Sequence, residues 1–168
     1  MGCGCADGIE GAEKEGEMKT RYVLGLIFSE DRQSVVLIRK NKPDWQRGKL
    51  NGIGGKIEPS DSTPYDAMQR ESKEECGVFA EWTEFCKMTG ELFEIHVFKA
   101  FDQEAFVRAE TQEAETIVKV RCENIARHGD SPQVVTNLPW LVWMALDHNN
   151  GESLEPFYAT VEYKKGLL

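Results

Sequence analysis

The sequence lacks a long apolar run and also lacks an excess of positive charge. Its 168 residues include 20 Lys and Arg against 29 Asp and Glu, so the net charge at pH 7 is −9. A membrane-spanning helix needs about 20 apolar residues, and nonspecific nucleic-acid binding needs a basic surface. The sequence therefore predicts neither a membrane nor a nucleic acid as a partner. An acidic chain that handles an anionic substrate would need a metal ion to screen the repulsion.

Pairing signals among the cysteines are missing as well. The five cysteines include no Cys-x-x-Cys spacing, and their odd number favours a reducing, cytoplasmic location with inert thiols. Cys3 and Cys5 lack the second pair that a zinc site needs. The opening Met-Gly-Cys suggests lipidation, but Ala6 stands where the myristoylation pattern has Ser or Thr. We expect a disordered leader at residues 1–18 and a single domain at residues 19–168.

Several apolar, β-branched runs predict a sheet. Arg21–Phe28 and Ser34–Lys40 flank a short polar turn and predict a β-hairpin. The first run is apolar almost without alternation, which is typical of a strand covered on both faces, so we expect helices on both sides of the sheet. Further strands are predicted at Lys49–Ile57, Trp82–Met88, Leu92–Phe101, Thr116–Arg121 and Phe157–Tyr163. The acidic stretch at residues 102–114 is predicted to be irregular.

Two helices are expected, and their termini carry different signals. Thr63 is a candidate N-cap, Pro64 suits the first helical position, Asp66 completes a start resembling a capping box, and Gly77 is a C-terminal stop. The second helix, at residues 138–148, follows Asn137 and is apolar nearly all round. We expect it to be buried in the core, with a dimer interface as the alternative.

Three carboxylates mark the first helix. Glu71, Glu74 and Glu75 follow an i, i+3, i+4 spacing and share one helix face, where like charges repel each other. A hard divalent cation such as Mg²⁺ would compensate the repulsion and usually also binds substrate phosphates. Four glycines between Gly48 and Gly55 let backbone atoms approach a ligand closely. A charged helix alone is more often a solvated face, but the combination with the glycines favours a metal site.

The segment from Gly54 to Val78 resembles the Nudix box, in which a Gly is followed by an acid, an Arg-Glu pair, Glu-Glu and a closing Gly. The loop of the box is one residue longer here, the Glu that the family has in this loop is Asp61 here or is replaced by Ser62, and Ser72 stands in place of an aliphatic residue. The resemblance implies an α/β/α sandwich with a mixed β-sheet. It also implies hydrolysis of a nucleoside diphosphate linked to another moiety, with Mg²⁺ or Mn²⁺ as cofactor.

The resemblance assigns metal ligands on this chain. Glu74 and Glu75 match the paired carboxylate ligands of the family, and the carbonyl of Gly55 matches its backbone ligand. Glu71 matches an acid that serves as a ligand in some members and as a general base in others. These assignments are expectations that rest on the matched positions.

Other roles follow from the same resemblance. Arg70 is expected to hold one of the carboxylates in place, because its guanidinium suits bidentate pairing, and Lys56 is expected to reach a phosphate. Many relatives add a fourth carboxylate ahead of a late strand, a place occupied here by Glu115, with Glu113 as the second choice. A solvated loop acid remains the alternative for Glu115.

Substrate choice depends on three further positions. Trp45 and Asn51 match the stacking aromatic and the purine-contacting Asn of nucleotide-sanitising relatives, and Asn137 resembles a base-contacting Asn or serves as a plain N-cap. Signatures of the ADP-ribose, dinucleoside-polyphosphate and NADH types are missing. The sequence therefore predicts a MutT-like (d)NTP pyrophosphohydrolase, with a catalytically silent nucleotide-binding module or another substrate class, such as a nucleotide sugar, as alternatives. His96 is expected to be an exposed strand residue.

Overall fold

The computed structural model describes residues 19–127, 133–148 and 155–162. The predicted leader, with Cys3 and Cys5, lies outside the described residues. The strands in the described ranges are β1 (Thr20–Phe28), β2 (Ser34–Arg39), β3 (Leu50–Asn51), β4 (Thr83–Thr89), β5 (Phe93–Phe101), β6 (Thr116–Arg121) and β7 (Phe157–Thr160). The α-helices are α1 (Pro64–Cys76), α2 (Gln103–Arg108), α3 (Cys122–Arg127) and α4 (Leu138–Asp147), and a 3₁₀ turn spans Asp44–Gln46.

The strands form one mixed sheet, as expected. The order is β3-β2-β1-β5-β4-β7, with β6 on β2. β1 pairs with β5 in parallel, and β4 pairs with β7 in parallel. β2 pairs antiparallel with β1, β3 and β6, and the predicted hairpin of β4 with β5 is also present. The central position of β1 between β2 and β5 explains its continuous apolar run.

Helices cover both faces of the sheet, which confirms the sandwich. Alternate residues of β1 point to opposite faces, so Val23 joins one core cluster with Met68 of α1. Leu24 joins a second cluster with Leu138 of α4. Every residue from Val23 to Phe28 is buried. The two clusters make the sheet the middle layer of three.

Local signals define both ends of α1. The Thr63 hydroxyl accepts the backbone N–H of Asp66 at 3.1 Å, and Gly77 ends the helix in the left-handed region with φ of 75°. Ser72, the polar substitution in the resemblance to the Nudix box, is buried. Its hydroxyl donates to the carbonyl of Val78 at 2.8 Å, so the helix packs without an unpaired polar atom there.

The acidic stretch at residues 102–114 is not irregular throughout, and the prediction was wrong for its first half. Helix α2 occupies Gln103–Arg108, and the Asp102 carboxylate accepts the backbone N–H of Ala105 at 2.9 Å as its N-cap. Helix α3 was also not predicted. Both helices have only six residues, too few to show a helical periodicity in the sequence.

The predicted strand at Lys49–Ile57 is much shorter in the structure. Only Leu50 and Asn51 pair with β2 as a strand, and Ile53 and Lys56 make single bridges to β1. The glycines interrupt the ladder, and the chain crosses from β2 to β1 at this point. The loop that precedes α1 is thereby anchored on the central strand.

Helix α4 is less buried than its composition suggested. The side chains of Trp140 and Trp143 are 37% and 50% exposed. One face meets the core, formed by Leu138, Leu141, Val142 and Ala145. Asn137 adopts helical backbone angles and its side chain makes no capping hydrogen bond, so the N-cap interpretation was wrong.

The cysteines that the structure describes are buried and free, at positions 76, 86 and 122. Burial raises the pKa of Cys86 and of Cys122 to about 11, which keeps both thiols protonated and inert at neutral pH. Within the described ranges, the helices are all too short or too polar to cross a membrane.

Candidate functional site

The glycine loop brings backbone atoms against the acidic helix. Gly54 lies at φ of 141°, and its N–H donates to the Glu75 carboxylate at 2.7 Å. A Cβ on Gly55 would lie 2.6 Å from a Glu71 carboxylate oxygen. The Gly55 carbonyl accepts the N–H of Val23 at 2.9 Å, which leaves its second lone pair for another partner. Only glycine permits this approach of the loop to the two carboxylates.

Glu75 is the most deeply buried of the three carboxylates that share one face of α1. The residue is 8% exposed, and burial raises the pKa of its carboxyl group to about 7. The Lys40 ammonium at 3.9 Å and the Gly54 N–H act in the opposite direction, but they do not offset the loss of solvent. A buried carboxylate whose charge has so few partners is stabilised when a cation binds beside it.

Arg70 forms the centre of an ion-pair network. Its guanidinium donates to both oxygens of Asp61 at 3.1 and 2.9 Å, to Glu71 at 2.9 Å and to Glu74 at 3.0 Å. It also donates to the Lys56 carbonyl at 3.1 Å. The network ties the loop before α1 to the helix itself, so Arg70 positions carboxylates as the sequence predicted, and Asp61 is its bidentate partner.

The charged groups of this network shift one another's pKa values. The hydrogen bond with Asp61 raises the pKa of Arg70, and the same bond lowers the pKa of Asp61. Burial raises the pKa of Glu71 even though Arg70 lies beside it. Glu71 and Glu75 are thus two acids of the network whose pKa values burial raises.

Glu115 reaches the same site from the segment before β6. Its carboxylate lies 2.6 Å from the Lys40 ammonium and accepts the backbone N–H groups of Asn41 at 2.6 Å and Lys42 at 3.3 Å. Burial acts to raise its pKa, but these partners together lower it below the usual range. Lys40 connects it to Glu75, whereas the second choice, Glu113, is exposed.

The donor set suits a hard divalent cation. The buried carboxylate of Glu75 and the half-buried carboxylate of Glu71 lie beside the glycine loop, where a Cβ on Gly55 would come within 2.6 Å of Glu71. In the described ranges, no three His, Cys, Asp or Glu side chains stand in a geometry that could hold a metal ion. Two side-chain cations, Arg70 and Lys40, occupy the carboxylates instead. A metal ion would replace contacts that these cations now make.

The residues expected to bind the base lie near one end of the sheet. Trp45 is 41% exposed in the 3₁₀ turn. Asn51 accepts the Gly52 N–H at 2.9 Å and donates to Gln46 at 3.3 Å. The structure therefore leaves the Trp45 ring accessible and holds the Asn51 amide by neighbours in the same segment.

Backbone hydrogen bonds between β3 and the segment before α4 place Asn137 near the same end of the sheet. The backbone of Leu50 bonds to Gln133 at 2.7 Å and to Val135 at 3.0 Å, which sets the start of α4 beside β3. The Asn137 Oδ1 atom is buried without a hydrogen-bond partner, and its Nδ2 atom lies 4.0 Å from the sulfur of Met88. Such an orphaned acceptor is uncommon in folded proteins.

His96 is buried rather than exposed, which corrects the expectation. It is 6% exposed, and its ring nitrogens lie 2.6 Å from Glu84 and 2.9 Å from Glu94. Arg21 lies 3.3 Å from the same ring. Both faces of β5 are covered, so His96 finds partners on β1, on β4 and on its own strand, and the alternation in the sequence did not indicate exposure.

The sequence missed two contributors to the site. Lys40 directly follows β2. The residues around it give no sign that it belongs to the site, because its partner Glu115 is distant in the sequence. Asp61 was noted only as a departure from the Glu of the family, whereas the structure makes it the firmest partner of Arg70. Lys56 has an exposed side chain and contributes its carbonyl to Arg70.

Comparisons with known proteins agree on one family. The sequence model of the NUDIX domain matches residues 18–160. No curated protein matches the chain. MutT from Bacillus halodurans has a similar structure, with 18% identity, a TM-score of 0.64 and coverage of 89% of this chain and 93% of that one.

Two further solved structures resemble the fold. One is a MutT from work on Aliivibrio salmonicida and Vibrio cholerae, with 20% identity, a TM-score of 0.55 and coverage of 76% of this chain and 96% of that one. The other is the NUDIX domain of Shewanella oneidensis NrtR, complexed with ADP ribose, with 14% identity, a TM-score of 0.66 and coverage of 77% and 87%. At these identities the likeness establishes the fold alone.

Proposed function

The chain belongs to the NUDIX domain family and is a hydrolase of phosphoanhydrides, and we propose that its substrate is a nucleoside diphosphate linked to another group. The most specific form of the proposal is a (d)NTP that yields (d)NMP and pyrophosphate. The observation that carries it is the pair formed by the half-buried Glu71 and the buried Glu75, held against a glycine loop in which a Cβ on Gly54 would meet the backbone of Val23. Mg²⁺ or Mn²⁺ is the proposed cofactor.

Four residues would hold the metal ion: Glu71, Glu74, Glu75 and the carbonyl of Gly55. When bound, such an ion lowers the pKa of a water molecule and neutralises charge on the phosphates. Glu75 is held by the Gly54 N–H, which fixes the direction of its carboxylate. Glu71 serves as a further ligand or accepts the proton of the attacking water, and both roles require its ionised form.

The positively charged side chains divide the remaining work. Arg70, locked by Asp61, keeps Glu71 and Glu74 in place. The exposed ammonium of Lys56 is proposed to contact a substrate phosphate. Glu115, which the segment before β6 presents to the same site, is proposed as a fourth carboxylate ligand.

Base recognition is proposed for Trp45, Asn51 and Asn137. An accessible indole ring offers a stacking surface for a base, and an Asn amide can pair with a purine edge. The unpartnered Oδ1 of Asn137 supports this assignment, because a buried acceptor without a donor is costly until a ligand satisfies it. These three positions make a purine nucleotide the proposed substrate class.

A catalytically silent nucleotide-binding module is the second candidate. Arg70 and Lys40 already pair with the carboxylates that a metal ion would need, and this observation favours binding without cleavage. The raised pKa values of Glu71 and Glu75 weigh against it, because a protein that only binds nucleotides has no need of two adjacent acids with perturbed pKa values.

A nucleotide panel separates the two functions. The protein is incubated with (d)NTPs, ADP ribose, nucleotide sugars and dinucleoside polyphosphates, with Mg²⁺ or with chelator, and released phosphate and pyrophosphate are measured. We expect metal-dependent turnover with a preference for a (d)NTP, and its loss in Glu71→Gln. Nucleotide binding without turnover on any substrate would support the silent module and overturn the proposed activity.

A further inference from the structure

Lys40 is a cation placed inside the carboxylate site. Its ammonium lies 2.6 Å from Glu115 and 3.9 Å from Glu75, two acids that belong to different segments of the chain. The Lys40 and Glu115 side chains are each only 16% exposed. The backbone of Lys40 is fixed at the end of β2 by bonds to Lys49 at 2.9 Å and Gly48 at 2.8 Å. The ammonium is therefore held in the site by the fold.

The ammonium lies beside carboxylates that are also the proposed ligands of the divalent ion. Lysine presents a compact point charge with hydrogen-bond donors, whereas Mg²⁺ and Mn²⁺ need direct contact with carboxylate oxygens. A divalent ion bound to the Glu115 Oε2 atom would lie close to the Lys40 ammonium, and the two positive charges would repel each other. We propose that Lys40 is a built-in competitor that occupies Glu75 and Glu115 in the metal-free protein and is displaced by the divalent ion. It would thereby set the metal affinity of the site, an inference that rests on the proposed function.

The structure indicates that the ammonium can leave without dismantling the site. Glu75 keeps its bond from the Gly54 N–H at 2.7 Å. Glu115 keeps the backbone donors of Asn41 and Lys42. Both carboxylates therefore stay in position when Lys40 withdraws. Lys40 is therefore not the only partner of either carboxylate, as it would be if its role were purely to hold them in place.

Metal affinity measured by calorimetry tests the competition. Mn²⁺ is titrated into the wild-type protein, Lys40→Met, Lys40→Arg and Lys42→Met at pH 8.0, where Glu75 is largely ionised. We expect Lys40→Met to bind Mn²⁺ about tenfold more tightly. Lys40→Arg should remain within about threefold of the wild type, because it keeps the competing charge. Lys42→Met removes an equal charge from a neighbouring exposed side chain and should leave the affinity unchanged.

A double variant shows whether the effect runs through Glu115. In a Glu115→Gln background, Lys40→Met should change the Mn²⁺ affinity by much less than tenfold, because the competing pair is already broken. Equal or weaker Mn²⁺ binding by Lys40→Met, with normal binding by the wild type, would overturn the inference alone. Failure of the wild type to bind Mn²⁺ would overturn the proposed metal site and the inference together. Far-ultraviolet circular dichroism confirms that each variant is folded.

Discussion

The two helices that enclose the sheet differ in how completely their polar groups are satisfied. At the start of α1, Thr63 accepts the N–H of Asp66, and farther along the helix Arg70 pairs with three acids. At the start of α4, the Oδ1 atom of Asn137 is buried and unpartnered, and two Trp side chains on the helix are exposed. The proposed phosphate side of the site is therefore assembled from within the protein, whereas the proposed base side is left for a ligand to complete.

The comparison teaches which changes should affect catalysis and which should affect selectivity. Changes on α1 alter a charge network that exists without substrate, so they should appear in the metal-free protein as well as in turnover. Changes near Asn137 and Trp45 should appear mainly when a nucleotide is bound. The predictions below test this division, beginning with the largest expected effect.

The largest effect is expected for Glu75→Gln. The amide keeps the size of the side chain and an oxygen that accepts the Gly54 N–H, but it removes a charge proposed to bind the metal ion. Turnover should fall by about 10²-fold or more, measured with saturating Mg²⁺. Glu113→Gln, at an exposed position before β6, is the matched control and should keep wild-type turnover. Equal losses in both variants would contradict the assignment of Glu75.

Stability against pH provides a second test of Glu75. Its pKa is raised from 4.5 to about 7, so the folded protein binds this proton more tightly than the unfolded chain does. The contribution to the free energy of unfolding is then complete below pH 4.5 and is lost as the pH rises through 7. With chelator present, Glu75→Gln should be more stable than the wild type at pH 8 by up to about 3 kcal/mol.

Urea denaturation at pH 4.5 and pH 8 measures this difference. Titrating groups that do not interact with Glu75 act equally in both proteins, so the change in the variant relative to the wild type reports Glu75 together with its coupled neighbours Glu71 and Glu115. A variant that is less stable than the wild type at pH 8 would show that the charged Glu75 carboxylate holds the fold together. That result would move Glu75 from the proposed metal site to a structural role.

Trp45→Ala tests the proposed base side. Loss of a stacked base should raise KM by an amount equivalent to about 1–3 kcal/mol while kcat changes little. Trp143→Ala is the matched control, because this Trp is similarly exposed on α4 and has no proposed contact with substrate. Steady-state kinetics on the preferred nucleotide decide the outcome, and an unchanged KM in Trp45→Ala would place the base elsewhere.

The parts of the molecule that could be predicted from sequence are those with local signals. Thr63, Pro64 and Gly77 lie at the ends of α1 and act on their own helix, so their patterns predicted its bounds within one residue. The run of β1 predicted coverage on both faces for the same reason. Lys40 and Glu115 meet only after β2 and β6 pair, and Glu84, a partner of His96, lies on β4, so no short pattern could indicate these contacts.

The start of α1 provides a reference for a smaller effect. Thr63→Ala removes the hydroxyl that accepts the Asp66 N–H, and the loss of such a cap costs about 1 kcal/mol. The free energy of unfolding, measured with urea, should fall by that amount. Thr63→Ser keeps the capping oxygen and should restore most of the stability. Equal stability of the Ala and Ser variants would mean that the cap contributes nothing.

The smallest effect on stability is expected for Asn137→Ala at the start of α4. The Asn137 side chain makes no capping bond, and removing an unsatisfied buried acceptor relieves a cost, so the free energy of unfolding should change by less than about 0.5 kcal/mol. Substrate preference should change instead, because the variant loses an amide proposed to contact the base. A loss of about 1 kcal/mol, equal to that of Thr63→Ala, would show that Asn137 caps its helix in solution. Unchanged stability together with an unchanged ranking of purine and pyrimidine nucleotides would remove Asn137 from the base site, and the contrast between the two helices would then have no bearing on selectivity.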